Sequence, residues 1–142
     1  MEHVPQEFDW VEALANCSLL RVFKQIQDEV EQDVKSRNER LTSRDKDWMV
    51  RFGMDVTAGI HTYRVERTGA TATTSLVASV KFFMKDNFII AHSDTNVVLV
   101  KASITLNDAG RCVLLDGGMT TGGVMETWQF RRKALQGLFF EI

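Results

Sequence analysis

The run Trp48-Met49-Val50-Arg51-Phe52-Gly53-Met54-Asp55-Val56-Thr57-Ala58-Gly59-Ile60 decides the fold class. Trp48, Val50, Phe52, Met54, Val56, Ala58 and Ile60 take every second position, with Arg51, Asp55 and Thr57 between them. Side chains two apart share one face of a strand, whereas a helix brings together positions three and four apart. The run is therefore a strand with one buried face. The same alternation returns in Leu76, Ala78, Val80, Phe82 and Met84, and again in Val98, Val100, Ala102, Ile104 and Leu106. These strands present one apolar wall.

Short polar connections join them. Asp86-Asn87, Ser93 to Asn96 and Asn107-Asp108-Ala109-Gly110 each favour an antiparallel hairpin. Thr68-Gly69-Ala70 offers a further turn, and Gly59 a bulge or bend that splits the opening strand. Downstream, Gly117 to Gly123 reads as a loop. Val124 to Phe130 then reads as a strand and Arg131 to Phe139 as a short helix, with a single helix from about Met125 to Phe140 as the alternative.

Upstream the period changes. Leu19, Phe23, Ile26, Val30 and Val34 lie on one helical stripe behind Ser18, an N-cap residue type, and Lys24, Asp28, Glu29, Glu31, Asp33 and Lys35 fill the other face. A helix from Leu19 to about Leu41 is about 35 Å long at 1.5 Å per residue, so it needs a broad sheet to lie on. Phe8, Val11 and Leu14 or Ala15, following Pro5, suit a shorter helix that starts near Gln6.

The 142 residues fit one domain over 1–142, with a helical layer in 1–47 and a sheet layer with a C-terminal helix in 48–142. The first layer holds eleven acids and seven bases, the second eight acids and ten bases. The expected fold is α+β: one short and one long N-terminal helix on one face of a curved antiparallel sheet of about five or six strands, closed by a short C-terminal helix. Cystatin-like folds and cone-shaped folds that enclose a small ligand share this layout, an analogy that does not transfer function.

A formal net charge of −2 leaves no overall basic field for nucleic acid or an anionic membrane. Apolar runs such as Phe88 to Ala91 fall far short of the ~20 residues of a membrane helix. Met1 to Glu7 carries no signal-peptide pattern. Cys17 and Cys112 lie apart with no CxxC pair and have apolar neighbours, so they read as two buried free thiols in a reducing compartment, and cytoplasm is the expected setting.

Motifs for chemistry are sparse. His92-Ser93-Asp94 places an imidazole and a carboxylate two apart, and His61 completes a two-His, one-carboxylate set in residue type. Asp94 sits in a turn-forming run, so no metal is assigned. The glycine-rich loop lacks the lysine of a phosphate-binding loop, and no GxSxG is present. Arg131-Arg132-Lys133 follows Trp128 and Phe130 and reads as the exposed side of a helix. Asp55, His61, Tyr63 and His92 are the residue types that can give a cavity its polar handles.

Adjacent large apolar residues cannot all face one core. Phe83 opposes Phe82 in its strand, Phe140 follows Phe139, and Val97 and Leu99 lie on the second face of theirs. Phe83, Val97, Leu99 and Phe140 are therefore expected at an interface, with a second copy of the chain as partner. The expected function is a non-catalytic binding or interaction module that forms a homodimer. The alternative is a cone-shaped domain whose apolar cavity binds, or transforms, a small apolar molecule through Asp55, His61, Tyr63 or His92. No cofactor, nucleic-acid partner or membrane partner is expected.

Overall fold

The computed structural model describes residues 9–40, 48–57, 60–69, 76–117 and 123–140, with the side chains of 48, 49, 55–57, 60, 61, 68, 69, 76 and 77 outside that description. Helices α1 (Trp10–Asn16) and α2 (Leu19–Glu39) come first. Strands β1 (Trp48–Thr57), β2 (Ile60–Gly69), β3 (Leu76–Lys85), β4 (Phe88–Ser93), β5 (Val98–Leu106), β6 (Cys112–Asp116) and β7 (Val124–Met125) follow, and helix α3 (Thr127–Phe140) closes the order. The strands form one sheet in sequence order, every neighbouring pair antiparallel. The α+β layout agrees with the periodicities. Seven strands stand among the described residues where five or six are expected, and the expected strand from Val124 to Phe130 is present as the two-residue β7 alone.

Helix α2 starts where its cap dictates. Ser18 is extended, and its hydroxyl oxygen accepts the Arg21 N–H at 3.2 Å, satisfying one of the donors that the first turn leaves open. Phe23, Ile26, Val30 and Val34 then bury the stripe against the sheet. Helix α1 begins at Trp10, where Asp9 Oδ1 accepts the Glu12 N–H at 3.0 Å and caps the first turn; the expected start near Gln6 lies outside the described residues. This helix buries no residue, and Trp10, Val11 and Leu14 are exposed.

A disulfide holds that end of the chain. Cys17 and Cys112 are bonded across 95 residues of sequence, with Cα atoms 5.3 Å apart. The expectation of two buried free thiols is thus overturned: Cys17 is half-buried, Cys112 is exposed, and neither is free. The turn between α1 and α2 brings Cys17 to the start of β6. Apolar neighbours in sequence carry no record of that placement.

The turns follow their residues. Asp86 and Asn87 both take positive φ, 53° and 67°, between β3 and β4, as a two-residue hairpin with right-handed strand twist requires. Asn107 Oδ1 accepts from Ala109 and Arg111 N–H, and Gly110 supplies φ 76°. The expected features at Gly59, Ala70 and the loop through 118–122 lie outside the described residues.

The C-terminal segment is nearer the single-helix alternative. Strand character stops at Met125, and α3 starts at Thr127, where the Gln129 side chain reaches back to accept the Glu126 N–H at 2.8 Å. This contact is half of a capping box. Phe130, Ala134, Leu135, Leu138 and Phe139 are buried from this helix. They meet Phe23, Ile26 and Val30 of α2 and Val65, Phe82 and Ile89 of the sheet in one core. The largest rings sit together, with Tyr63 stacked on Phe82 at 4.6 Å and tilted against Phe23 at 5.3 Å and Phe52 at 5.4 Å.

Reduction of the Cys17–Cys112 bond is expected to lower the unfolding free energy by up to about 4–5 kcal/mol, the loop-entropy value for a closure of this length. Urea unfolding with and without dithiothreitol measures it, and a midpoint indifferent to the reductant contradicts the pairing.

Candidate functional site

The sheet has an inner face under the helices and an outer face on which no described helix packs. Register assigns each residue: Tyr63 pairs with Met54 and Phe82, and Phe82 with Ala91, so all four are inner. Thr62 pairs with Phe83, Phe83 with Ile90 and Lys81 with His92, so these are outer. Position 61 falls in the inner row opposite Val56, and position 55 in the outer row opposite Thr62. Tyr63 and His92 therefore stand on opposite sides of the sheet. Asp55 and His61 occupy opposite rows as well, and their side chains lie outside the described residues.

Tyr63 is fully buried, and its hydroxyl has no hydrogen-bond partner among the described residues. Burial pushes its phenol pKa above the ordinary range; Arg131 pulls the other way, while Asp33 and Glu29 add to the rise. Arg131 of α3 reaches α2 at two points. Its Nε donates to Asp33 Oδ2 at 2.6 Å, and its Nη1 lies 2.9 Å from Glu29 Oε1. The Glu29 contact is an ion pair without hydrogen-bond alignment, so that buried oxygen accepts no hydrogen bond. The cluster clamps α2 to α3 above a neutral phenol.

The basic run on α3 is thus not a uniform exposed face. Arg132 and Lys133 are exposed, with Arg132 on Gln136 and Lys133 Nζ on Asp116 Oδ2 at 2.8 Å, whereas Arg131 turns under. Two further arginines escape sequence reading. Arg37 and Arg67 are buried, Arg37 donating to Phe139 O at 3.2 Å and Arg67 to Leu138 O at 3.0 Å. They meet the carbonyls at the C-terminal end of α3, where the helix dipole is negative and the last carbonyls lack helical partners.

The outer face carries aromatic and apolar side chains outside the main core. Phe83 meets His92 edge-on with ring centroids 4.9 Å apart. His92 Nδ1 donates to Ser93 O at 2.8 Å, which leaves Nε2 as the acceptor of the neutral ring. Lys101 Nζ sits 4.1 Å over the Phe88 ring, a cation–π contact. At the bulge between Ala91 and His92 the register sets Val98 beside His92, with Val97 57 % and Leu99 38 % exposed. Leu99, next to inner Val100, therefore shares the outer surface with Phe83, whereas Val97 precedes β5 and stands opposite Ser93, whose partner Val80 is inner. Phe140, 73 % exposed, stands apart at the end of α3 on the helix side.

Asp94 is exposed in the turn after β4, its N–H bonded to Ser79 O at 3.1 Å. Among the described residues no group of three His, Cys, Asp or Glu side chains could hold a metal ion. A cleft of about 500 Å³ opens between α2, β6, β7 and the start of α3, with Val22, Leu114 and Met125 at its floor and Gln25, Arg111 and Glu126 among its polar groups.

The chain has one tyrosine, so its phenolate absorbance reports on Tyr63 alone. In the folded protein that absorbance is expected to stay absent as pH passes the ordinary phenol value of about 10. Because the unfolded chain loses this proton first, stability falls as pH rises above that value. Tyr63→Phe removes this alkaline loss and a buried, unsatisfied hydroxyl, and is expected to raise stability at pH 7 by about 1 kcal/mol. A phenolate that appears near pH 10 without unfolding contradicts this burial. Comparison with protein-family models, with curated proteins and with solved structures returns no match to this chain.

Proposed function

We propose that the chain is a non-catalytic interaction module that works as a homodimer. The observation that carries this reading is the sheet's unfinished state: its inner face is covered by α2 and α3, while its outer face leaves Val98 and Leu99 exposed on the side of Phe83 and His92. Exposed apolar groups gathered on one surface favour a partner, and closed two-fold assembly is the commonest way for a soluble chain to provide one.

A second reading, small-molecule binding, is favoured by the cleft of about 500 Å³ between α2, β6 and α3, a size within the range of ligand pockets. Tyr63, stacked in the core, and His92, on the far face, do not supply its polar handles.

The setting follows from the disulfide. No helix among the described residues is long and apolar enough to cross a membrane. The cytoplasmic expectation rested on free thiols and on Met1 to Glu7 carrying no signal-peptide pattern, and the Cys17–Cys112 bond favours surroundings that oxidise thiols.

Light scattering on a size-exclusion column, run from micromolar to near-millimolar protein, is expected to give twice the 16.1 kDa chain mass. A chain that stays at the monomer mass throughout contradicts the homodimer.

A further inference from the structure

We propose that two copies join edge to edge through β1, antiparallel about a two-fold axis at Gly53, so that the sheet of one copy runs on into that of the other; this rests on the homodimer reading, moves its contact to the sheet edge, and leaves the outer surface of Val98 and Leu99 uncovered. Strand β1 ends the sheet and is ten residues long. A long edge strand is a template for another strand.

The main chain fixes which groups are open. Asn38 of α2 donates from Nδ2 to Val50 O at 2.9 Å, and Val50 N–H donates to Asn38 Oδ1 at 3.4 Å. Val50 thus turns both main-chain groups away from β2, although Arg67 stands opposite it in register. In an antiparallel pair this orientation repeats at every second residue. Phe52 and Met54 therefore present their N–H and C=O groups at the edge, while the Asn38 amide closes the ladder at Val50. The open stretch begins at Phe52.

Three features select one register within that stretch. In the outer row, Arg51 and Asp55 lie symmetrically about Gly53. Antiparallel pairing centred on Gly53 sets each Arg51 position opposite the partner's Asp55 position, two pairs of opposite charge, whereas centring on 51 or 55 opposes like charges. Centring on 52 or on 54 pairs neither charge. The Gly53 register also places Phe52 opposite the partner's Met54 as a hydrogen-bonded rung, which Phe52 and Met54 are already oriented to make. Pairs 51/55 and 53/53 then fall on the close rungs, about 4.5 Å between Cα atoms, and glycine stands at the axis, where an added Cβ meets nothing within 4 Å in one copy.

The inner row agrees. Met54 is 57 % exposed, its sulfur accepting only the Gln27 amide at 3.3 Å among the described residues, and Phe52 leans on Tyr63 beside it. The same register lays each Met54 against the partner's Phe52, a favourable sulfur–aromatic pairing.

Sedimentation equilibrium on the full chain tests this with Arg51→Asp, Asp55→Arg and the double exchange. Each single change opposes like charges twice per dimer and is expected to raise the dimer dissociation constant about tenfold or more, while the double exchange restores it to within about threefold. In parallel, Gly53→Cys is expected to give a covalent dimer on a non-reducing gel that reductant dissolves, a readout independent of the charge changes. A wild-type dimer indifferent to all the charge changes and not cross-linked by Gly53→Cys overturns the β1 contact and leaves the homodimer standing on another surface. Single changes that weaken the dimer without rescue by the double exchange overturn the Gly53 register. A wild-type monomer at every concentration overturns both.

Discussion

The seating of α2's apolar stripe on the inner face of the sheet is the contact on which the other elements depend. Phe23, Ile26 and Val30 are fully covered there, and they wall in Tyr63, Val65, Phe82 and Ile89 from the sheet. Complete burial of such side chains stabilises by about 1.5–3 kcal/mol each. The ion pairs are placed by this packing rather than the reverse. Arg131 reaches Asp33 and Glu29 because Phe130 and Ala134 bring α3 alongside α2, and a half-exposed ion cluster adds little beyond orientation.

The periodicities carried the architecture because they record burial, and burial is what built it. Alternation from Trp48 to Val56 became β1, with Ile60 opening β2, and the stripe from Leu19 to Val34 became α2, with Ser18 as the cap. What escaped depended on through-space meetings. Cys17 and Cys112 are 95 residues apart, and the bond between them arises only once the α1–α2 turn meets β6. Arg67 follows Tyr63 and Val65 in the inner row, and its reason for being there, the carbonyl end of α3, is 71 residues further along the chain. In the same way, an alternating pattern cannot say whether β7 is two residues or seven.

For the site, the sequence named residue types but not faces. Tyr63 and His92 are both near the ends of apolar runs, yet strand parity puts one in the core and the other outside. Phe83 and Leu99 stand out in the sequence because each breaks a period-two row whose inner members are evident, whereas Val97 precedes β5 and stands opposite Ser93. Phe140 was legible as unburied, but its side of the molecule depended on where α3 would pack. The charge asymmetry between layers, acidic in 1–47 and basic in 48–142, finds its local expression in Asp33 and Glu29 facing Arg131.

The edge of the sheet unites these features, since α2 both covers the core and, through Asn38, closes β1 at Val50 while leaving Phe52 and Met54 open. Amide hydrogen exchange of β1, measured residue by residue over a range of protein concentration, tests this most directly. Protection at Phe52 and Met54 that grows with concentration, with Val50 protected throughout, is the predicted result; exchange at Phe52 and Met54 that is independent of concentration contradicts it.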